Sequence, residues 1–253
     1  MEQGNILASE SHRLQALALS TGSSPVRAVL FDLDDTLWPI VPVIQRAEQV
    51  LHGWLAVHAP AVTSRWSVDS LRARRLQLMQ ENPAYRIDLW ALRHAGLTEA
   101  FIACDADHRL IDQAMDVFQA ARNEVTPFDD VLPGLQRLRR TLRVGSISNG
   151  FADLQAIGMA SHFDASLAAH SFGCAKPDPS IFLAACEALG VAPAEAVYAG
   201  DDLQLDVVAS QKAGLRGVWI NRFARDLPDG IRPDAICADL ISLENWLNTL
   251  KHA

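Results

Sequence analysis

A short apolar run that stops at an acidic cluster constrains this chain most. Val26, Ala28, Val29, Leu30 and Phe31 lead directly into Asp32-Leu33-Asp34-Asp35-Thr36-Leu37. Such a run reads as a strand buried on both faces, and strands of that kind belong to parallel sheets covered by helices. The carboxylates then stand at a strand end, the edge of an open α/β sheet where ligands bind. Asp32 and Asp34 alternate with Leu33, so in a still-extended chain they point to the same side. Neighbouring carboxylates repel each other and resist desolvation. A site that keeps them together has a cation between them or uses one as a proton carrier. A capped turn is the plainer alternative, because Asp and Thr favour turns and N-caps.

Further along, the same pattern recurs. Val144-Gly145-Ser146-Ile147 ends in Ser148-Asn149-Gly150. A hydroxyl and backbone amides at a strand end can hold a phosphate oxygen, although Ser-Asn-Gly is also an ordinary turn. Ala196-Val197-Tyr198-Ala199-Gly200 ends in Asp201-Asp202-Leu203-Gln204-Leu205-Asp206. Those carboxylates either join the first pair or cap the helix that runs on to Gly214. Between these runs, Lys176-Pro177-Asp178-Pro179 precedes a helical stretch. Lys176 is either a compact point cation for anionic charge or a solvated loop residue. Each piece alone is commonplace; together they converge on one sheet edge.

The chain outside residues 39–127 alternates helices and strands. Helices at 131–141, 152–157, 180–189, 203–213 and 242–250 intervene among strands at 143–148, 164–168, 196–200, 216–220 and 235–237. That order implies a parallel sheet with helices on both faces. Residues 39–127 show no strand pattern. Val43, Ile44, Ala47, Val50, Leu51, Trp54 and Leu55 repeat at helical spacing, as do Leu110, Ile111, Ala114, Val117, Phe118 and Ala121. Two further helices are expected at about 67–80 and 84–95, giving a helical insertion. Residues 1–25 read as an N-terminal tail, leaving 26–38 and 128–253 as the α/β part.

Net charge is 22 − 30 = −8, which opposes binding to nucleic acid and to anionic membranes. The arginines of 72–75 and 137–140 read as solvated helix faces. The cysteines, Cys104, Cys174, Cys186 and Cys237, form no C-x-x-C pair and suit a reducing compartment. The histidines lack metal-ligand spacing. With neither a signal-peptide pattern nor an apolar run of membrane-spanning length, the expected location is cytoplasmic.

Taken in order, Asp32-x-Asp34-x-Thr36, Ser148, Lys176 and Gly200-Asp201-Asp202 with Asp206 resemble the motifs of the haloacid dehalogenase superfamily of hydrolases. The resemblance implies a Rossmann-like parallel-sheet core with an inserted α-helical cap. It assigns Asp32 as nucleophile and Asp34 as general acid and base. It also implies Mg²⁺ held by the side chains of Asp32 and Asp201 and the backbone carbonyl of Asp34, with Asp202 in the metal set and Asp206 supporting it. Ser148, Asn149 and Lys176 would contact phosphate, and Thr36 would fix the loop. Trp38, Tyr85, Arg86 and Trp90 are candidates for contacts with the leaving group of a small phosphorylated metabolite. Monomer and homodimer both fit. Dehalogenating members of the superfamily lack the second aspartate, so Asp34 favours phosphoryl chemistry. A phosphomutase would keep the same residues, and a non-catalytic binding protein would be expected to have lost one. Hinges between core and cap are expected near Pro39–Pro42 and Thr126–Pro127.

Overall fold

In a computed structural model that describes residues 25–251, the apolar runs become β1 (Ala28–Phe31), β2 (Arg143–Ser148), β3 (Ala165–Ala168), β4 (Ala196–Gly200), β5 (Arg216–Ile220) and β6 (Ala235–Cys237). They form one six-stranded sheet in the order β3-β2-β1-β4-β5-β6, every pair parallel. The chain builds outward from β1 to β3, then returns to place β4 on the other side of β1. This reversal is a topological switch point, and it opens a crevice outside the carboxyl ends of β1 and β4. Phe31 lies beside Ala199, and the Asp32 N–H donates to the Ala199 carbonyl at 3.0 Å. Asp32 and Asp201 therefore emerge side by side.

Both faces of the sheet are buried, as the unbroken apolar runs require. Residues alternate between the faces with the period of a strand. Val29, Phe31, Val144 and Val197 pack against Leu135 of α6 (Val131–Leu138) and Leu243 of α11 (Leu240–Leu250). Leu30, Ile147 and Tyr198 face Ile181, Phe182 and Ala185 of α9 (Pro179–Leu189). Short helices α7 (Leu154–Ile157), α8 (Ala169–Phe172) and α10 (Ala209–Lys212) complete the α/β part.

Between β1 and β2 the chain is helical: α1 (Ile40–His58), α2 (Pro60–Arg65), α3 (Val68–Glu81), α4 (Leu89–Ala103) and α5 (Ile111–Asn123). These helices have their own core, which includes Leu55, Phe101, Met115 and Phe118. The two crossings lie side by side, because the Phe128 N–H donates to the Leu37 carbonyl at 3.0 Å. The helix expected at 84–95 is displaced. Pro83–Arg86 forms a 3₁₀ turn, Asp88 then caps α4 by accepting from the Ala91 N–H at 2.8 Å, and the helix continues through Gly96 to Ala103. The expected tail, 1–25, lies outside the described residues apart from Pro25. Among the described residues, no helix is long and apolar enough to cross a membrane.

Candidate active site

The switch-point crevice gathers residues from four separate stretches of chain. Lys176, delivered by the loop before α9, is 5 % exposed. Its ammonium donates to Asp32 Oδ1 at 2.6 Å, Asp206 Oδ1 at 2.7 Å and the Tyr198 hydroxyl at 2.9 Å. All three of its protons are thereby used. Tyr198 passes its own proton to the Ile147 carbonyl at 3.0 Å. Burial alone would pull the Lys176 ammonium down, but the carboxylates of Asp206 and Asp32 outweigh it and hold it well above the usual lysine range. Asp32 is pushed well above the usual carboxylate range, chiefly by burial and further by Asp206, with Lys176 opposing.

Asp206 reaches this cluster through local backbone geometry. After β4 the chain enters a π-helical turn, Leu203–Val208, before α10. Widened turns of this type recur at functional sites. Here the turn folds Asp206 back so that its Oδ2 accepts from the Asp202 N–H at 2.9 Å. Only glycine fits at position 200, because a Cβ there would sit 2.3 Å from Asp206 Oδ2. Asp32, Asp201 and Asp206 each offer an oxygen, all within 4.8 Å of one another. Asp201 is pushed up to about 6, first by burial and then by Asp206, against Arg225, whose Nη2 lies 3.1 Å from it. Oxygen donors with excess negative charge are compatible with a hard divalent cation such as Mg²⁺.

The carboxylate cluster differs from the expected metal set at two positions. Asp202 is exposed, and its carboxylate accepts from the Gln204 and Leu205 N–H groups as an N-cap. Asp206, expected only to support the metal, takes the place in the cluster instead.

Asp34 is held apart from that cluster. Arg122, 1 % exposed and on α5, donates through Nη2 to Asp34 Oδ1 and Oδ2 at 2.7 and 2.9 Å. The Trp38 indole N–H donates to Oδ1 at 2.8 Å. Trp38 can do so because Asp35 adopts φ 60, a conformation Asp tolerates, and its N–H closes a tight loop onto the Trp38 carbonyl at 2.7 Å. Trp38 is fully buried in the sheet core. It therefore cannot be the substrate contact that its place beside the motif suggested. The loop after β2 approaches Asp34 closely, since a Cβ on Gly150 would come within 2.9 Å of Asp34 Oδ2.

Ser148 is buried at the end of β2, where its hydroxyl accepts from the Gly150 N–H at 2.9 Å. Asn149 clamps the other motif loop: its amide donates to the Lys176 carbonyl and accepts from the Lys176 N–H, both at 2.9 Å. Thr36 is buried with no partner for its hydroxyl among the described residues; Arg222 grips its carbonyl instead, at 2.6 Å. Ser148, Asn149 and Lys176 line one cavity of about 320 Å³ with Asp32, Asp34 and Asp206. Trp90 lines a neighbouring cavity, whereas Tyr85 and Arg86 line neither. Arg122, Tyr198 and Arg225 carried no motif signal in the sequence.

Residues 26–214 match the haloacid dehalogenase-like hydrolase family, and the chain belongs to that family. It is a hydrolase, and several of its curated relatives are phosphatases. Over 204 residues it is 29 % identical to glyceraldehyde 3-phosphate phosphatase of Methanopyrus kandleri, covering 78 % of this chain and 84 % of the relative. Over 246 residues it is 30 % identical to N-acylneuraminate-9-phosphatase of Mus musculus, covering 90 % and 96 %. Among solved structures, a 2-haloacid dehalogenase from Pseudomonas syringae is similar with a TM-score of 0.83 and 35 % identity, covering 88 % of this chain and 99 % of that one.

Proposed function

We propose that this hydrolase is a Mg²⁺-dependent phosphatase that cleaves a small phosphomonoester through an aspartyl-phosphate. The observation that carries this reading is Asp34, a second carboxylate separately anchored by Arg122 and Trp38 beside the buried Asp32. Asp32, with Oδ1 held by Lys176, attacks phosphorus through Oδ2, and the bond to the leaving oxygen breaks. Asp34 takes the proton that a monoanionic phosphoester brings and gives it to that leaving oxygen. Asp34 then takes a proton from water, which attacks phosphorus, breaks the acyl phosphate and frees Asp32 and inorganic phosphate. Asp32, Asp201 and Asp206 would hold Mg²⁺ by their side chains, and Asp34 by its backbone carbonyl. Bound there, the ion supplies positive charge for the phosphate oxygens. Lys176 holds the nucleophile and meets phosphate only by exchanging one of its bonds. Residues 39–127 serve as the cap on a core of 26–38 and 128–253, and the cysteines, all free, suit the cytoplasm.

The likeness to a 2-haloacid dehalogenase favours a second reading, attack of Asp32 on a carbon bearing halide. That reaction needs no proton for the departing halide. It therefore leaves both the anchored Asp34 and the three-carboxylate cluster without work. The deciding experiment measures phosphate released from para-nitrophenyl phosphate with Mg²⁺, after EDTA, and after Mg²⁺ is restored. Loss and recovery of turnover are expected. Turnover that survives full chelation defeats the metal assignment, and halide release from 2-haloacids without phosphate release selects the second reading.

A further inference from the structure

A second cavity, of about 630 Å³, adjoins the reaction centre and shares Ser148 with it. Its size is that of a small-molecule site, roughly 300–1,000 Å³. Trp90 of α4, Gln119 of α5, Phe151 and Asp153 of the loop after β2, and Ser166 of β3 line it. The chemistry of the lining is one-sided. Neither lysine nor arginine lines it, and His170, which is exposed, is the only lining residue able to carry positive charge. Of the buried cations beside the reaction centre, Lys176 is committed to carboxylates and Arg122 is paired with Asp34 through Nη2, its Nη1 having no partner among the described residues; neither lines this cavity.

The lining offers acceptors in excess. Gln119 gives its amide N–H to the Phe151 carbonyl at 3.2 Å, and its Oε1 is buried out of reach of the cavity with no partner among the described residues. Asp88 and Asp153 each use only Oδ1, to cap α4 and α7. Ser166 accepts from the Ser146 hydroxyl at 3.0 Å and keeps its own proton to give. Trp90 and Phe151, edge to face at 5.7 Å, supply an apolar wall.

We infer that the leaving group seated here is a hydroxyl-bearing carbon chain, a polyol, sugar or amino sugar, and not one bearing a carboxylate or a second phosphate. The inference rests on the phosphatase reading and names the substrate class of that same site. Hydroxyls donate to the free oxygens of Asp88 and Asp153 while their carbon skeleton lies against Trp90 and Phe151. An anionic chain would meet Asp88 and Asp153 with no cation to offset it, and like charges brought together at a binding surface are strongly disfavoured.

The test compares matched phosphoesters by released phosphate: glucose 6-phosphate, 6-phosphogluconate with its added carboxylate, and glucosamine 6-phosphate with its added ammonium. kcat/KM for glucose 6-phosphate should exceed that for 6-phosphogluconate by about a hundredfold, and glucosamine 6-phosphate should be turned over at least as well as glucose 6-phosphate. Asp88→Asn combined with Asp153→Asn, which keeps a side chain able to cap each helix, should raise kcat/KM for 6-phosphogluconate relative to glucose 6-phosphate about tenfold. Equal turnover of the carboxylated ester, or rejection of the amine, overturns the inference. An unchanged ratio in the variant overturns the role of those carboxylates. The wild-type panel decides the substrate class even if the variant fails to fold. If para-nitrophenyl phosphate is not turned over either, the phosphatase reading falls first and takes this inference with it. If it is turned over while the panel fails, only the inference falls.

Discussion

This protein buries charge in two places, and the two are opposites. At the sheet edge, Asp32 and Asp206 surround Lys176, with Asp201 alongside, so carboxylates outnumber ammonium. Inside the helical insertion, one buried glutamate, Glu48, faces Arg72, Arg75 and Arg93, so guanidinium outnumbers carboxylate. Burial first, then Arg75 beside it, pulls the Arg93 guanidinium well below its usual range, and its other face lies 3.4 Å over the Phe118 ring. The first cluster lines an open cavity of about 320 Å³; the second encloses about 10 Å³, near the room of one water. Buried charge therefore does not mark a site by itself. What distinguishes the reaction centre is surplus charge exposed to a space that a substrate can enter.

The largest effect that separates the two clusters is on turnover. Asp32→Asn should lower kcat by at least about 10⁴-fold, since it removes the attacking oxygen. Intact-mass measurement after rapid quench should then show no phosphoryl adduct; an adduct equal to that of wild type would disqualify Asp32 as the nucleophile. Glu48→Gln should act on stability instead. It leaves buried guanidinium groups without their counter-charge, a loss of about 3–5 kcal/mol. Thermal unfolding should report this, while kcat per folded molecule stays within about twofold of wild type. A large kcat loss in folded Glu48→Gln would mean that the insertion's ion cluster shapes the crevice.

A third test crosses from one region to the other. Arg122 belongs to α5 yet holds Asp34, so Arg122→Met should free the proposed acid and base while keeping the side chain's length. Turnover of esters with poor leaving groups should drop about 10²-fold. para-Nitrophenyl phosphate, whose leaving group needs little protonation, should lose much less in the formation of the aspartyl-phosphate. Equal losses in that step would assign Arg122 to phosphate or to folding.

The two regions also differ in how far sequence reveals them. Strand β1 and its acidic stop were legible because each is local: a buried strand has to be apolar throughout, and the residues just after it stand at the sheet edge. Lys176 and Asp201 were legible by the same logic, applied to loops before α9 and after β4. Arg122 was not, because its partner lies 88 positions away and nothing in the spacing of α5 separates a buried arginine from a solvated one. The basic run at 72–75, read as solvated, contains Arg75, which the fold turns inward against Glu48. Asp202 and Asp206 could not be ranked either, since the choice depends on a π-helical turn that no periodicity announces.

The smallest effect tests the residue most misread from its position. Trp38 stands next to the acidic motif, where an aromatic ring suggests a substrate contact. Instead it is fully buried, and its indole N–H gives Asp34 Oδ1 a hydrogen bond that Arg122 shares. Trp38→Phe keeps an aromatic ring in the core and removes that one donor. If Trp38 only fills space, the variant should lose some stability and leave kcat unchanged on every ester. If it positions Asp34, kcat should fall by up to about tenfold for poor leaving groups, the scale of a single hydrogen bond, and less for para-nitrophenyl phosphate. KM should hold in that case, because Trp38 touches no bound substrate. A rise in KM with kcat intact would instead restore Trp38 as a binding residue. Because Arg122 still holds both oxygens of Asp34 in this variant, the effect has to be smaller than that of Arg122→Met. The reverse order would show that the indole, and not the guanidinium, sets where the second carboxylate points.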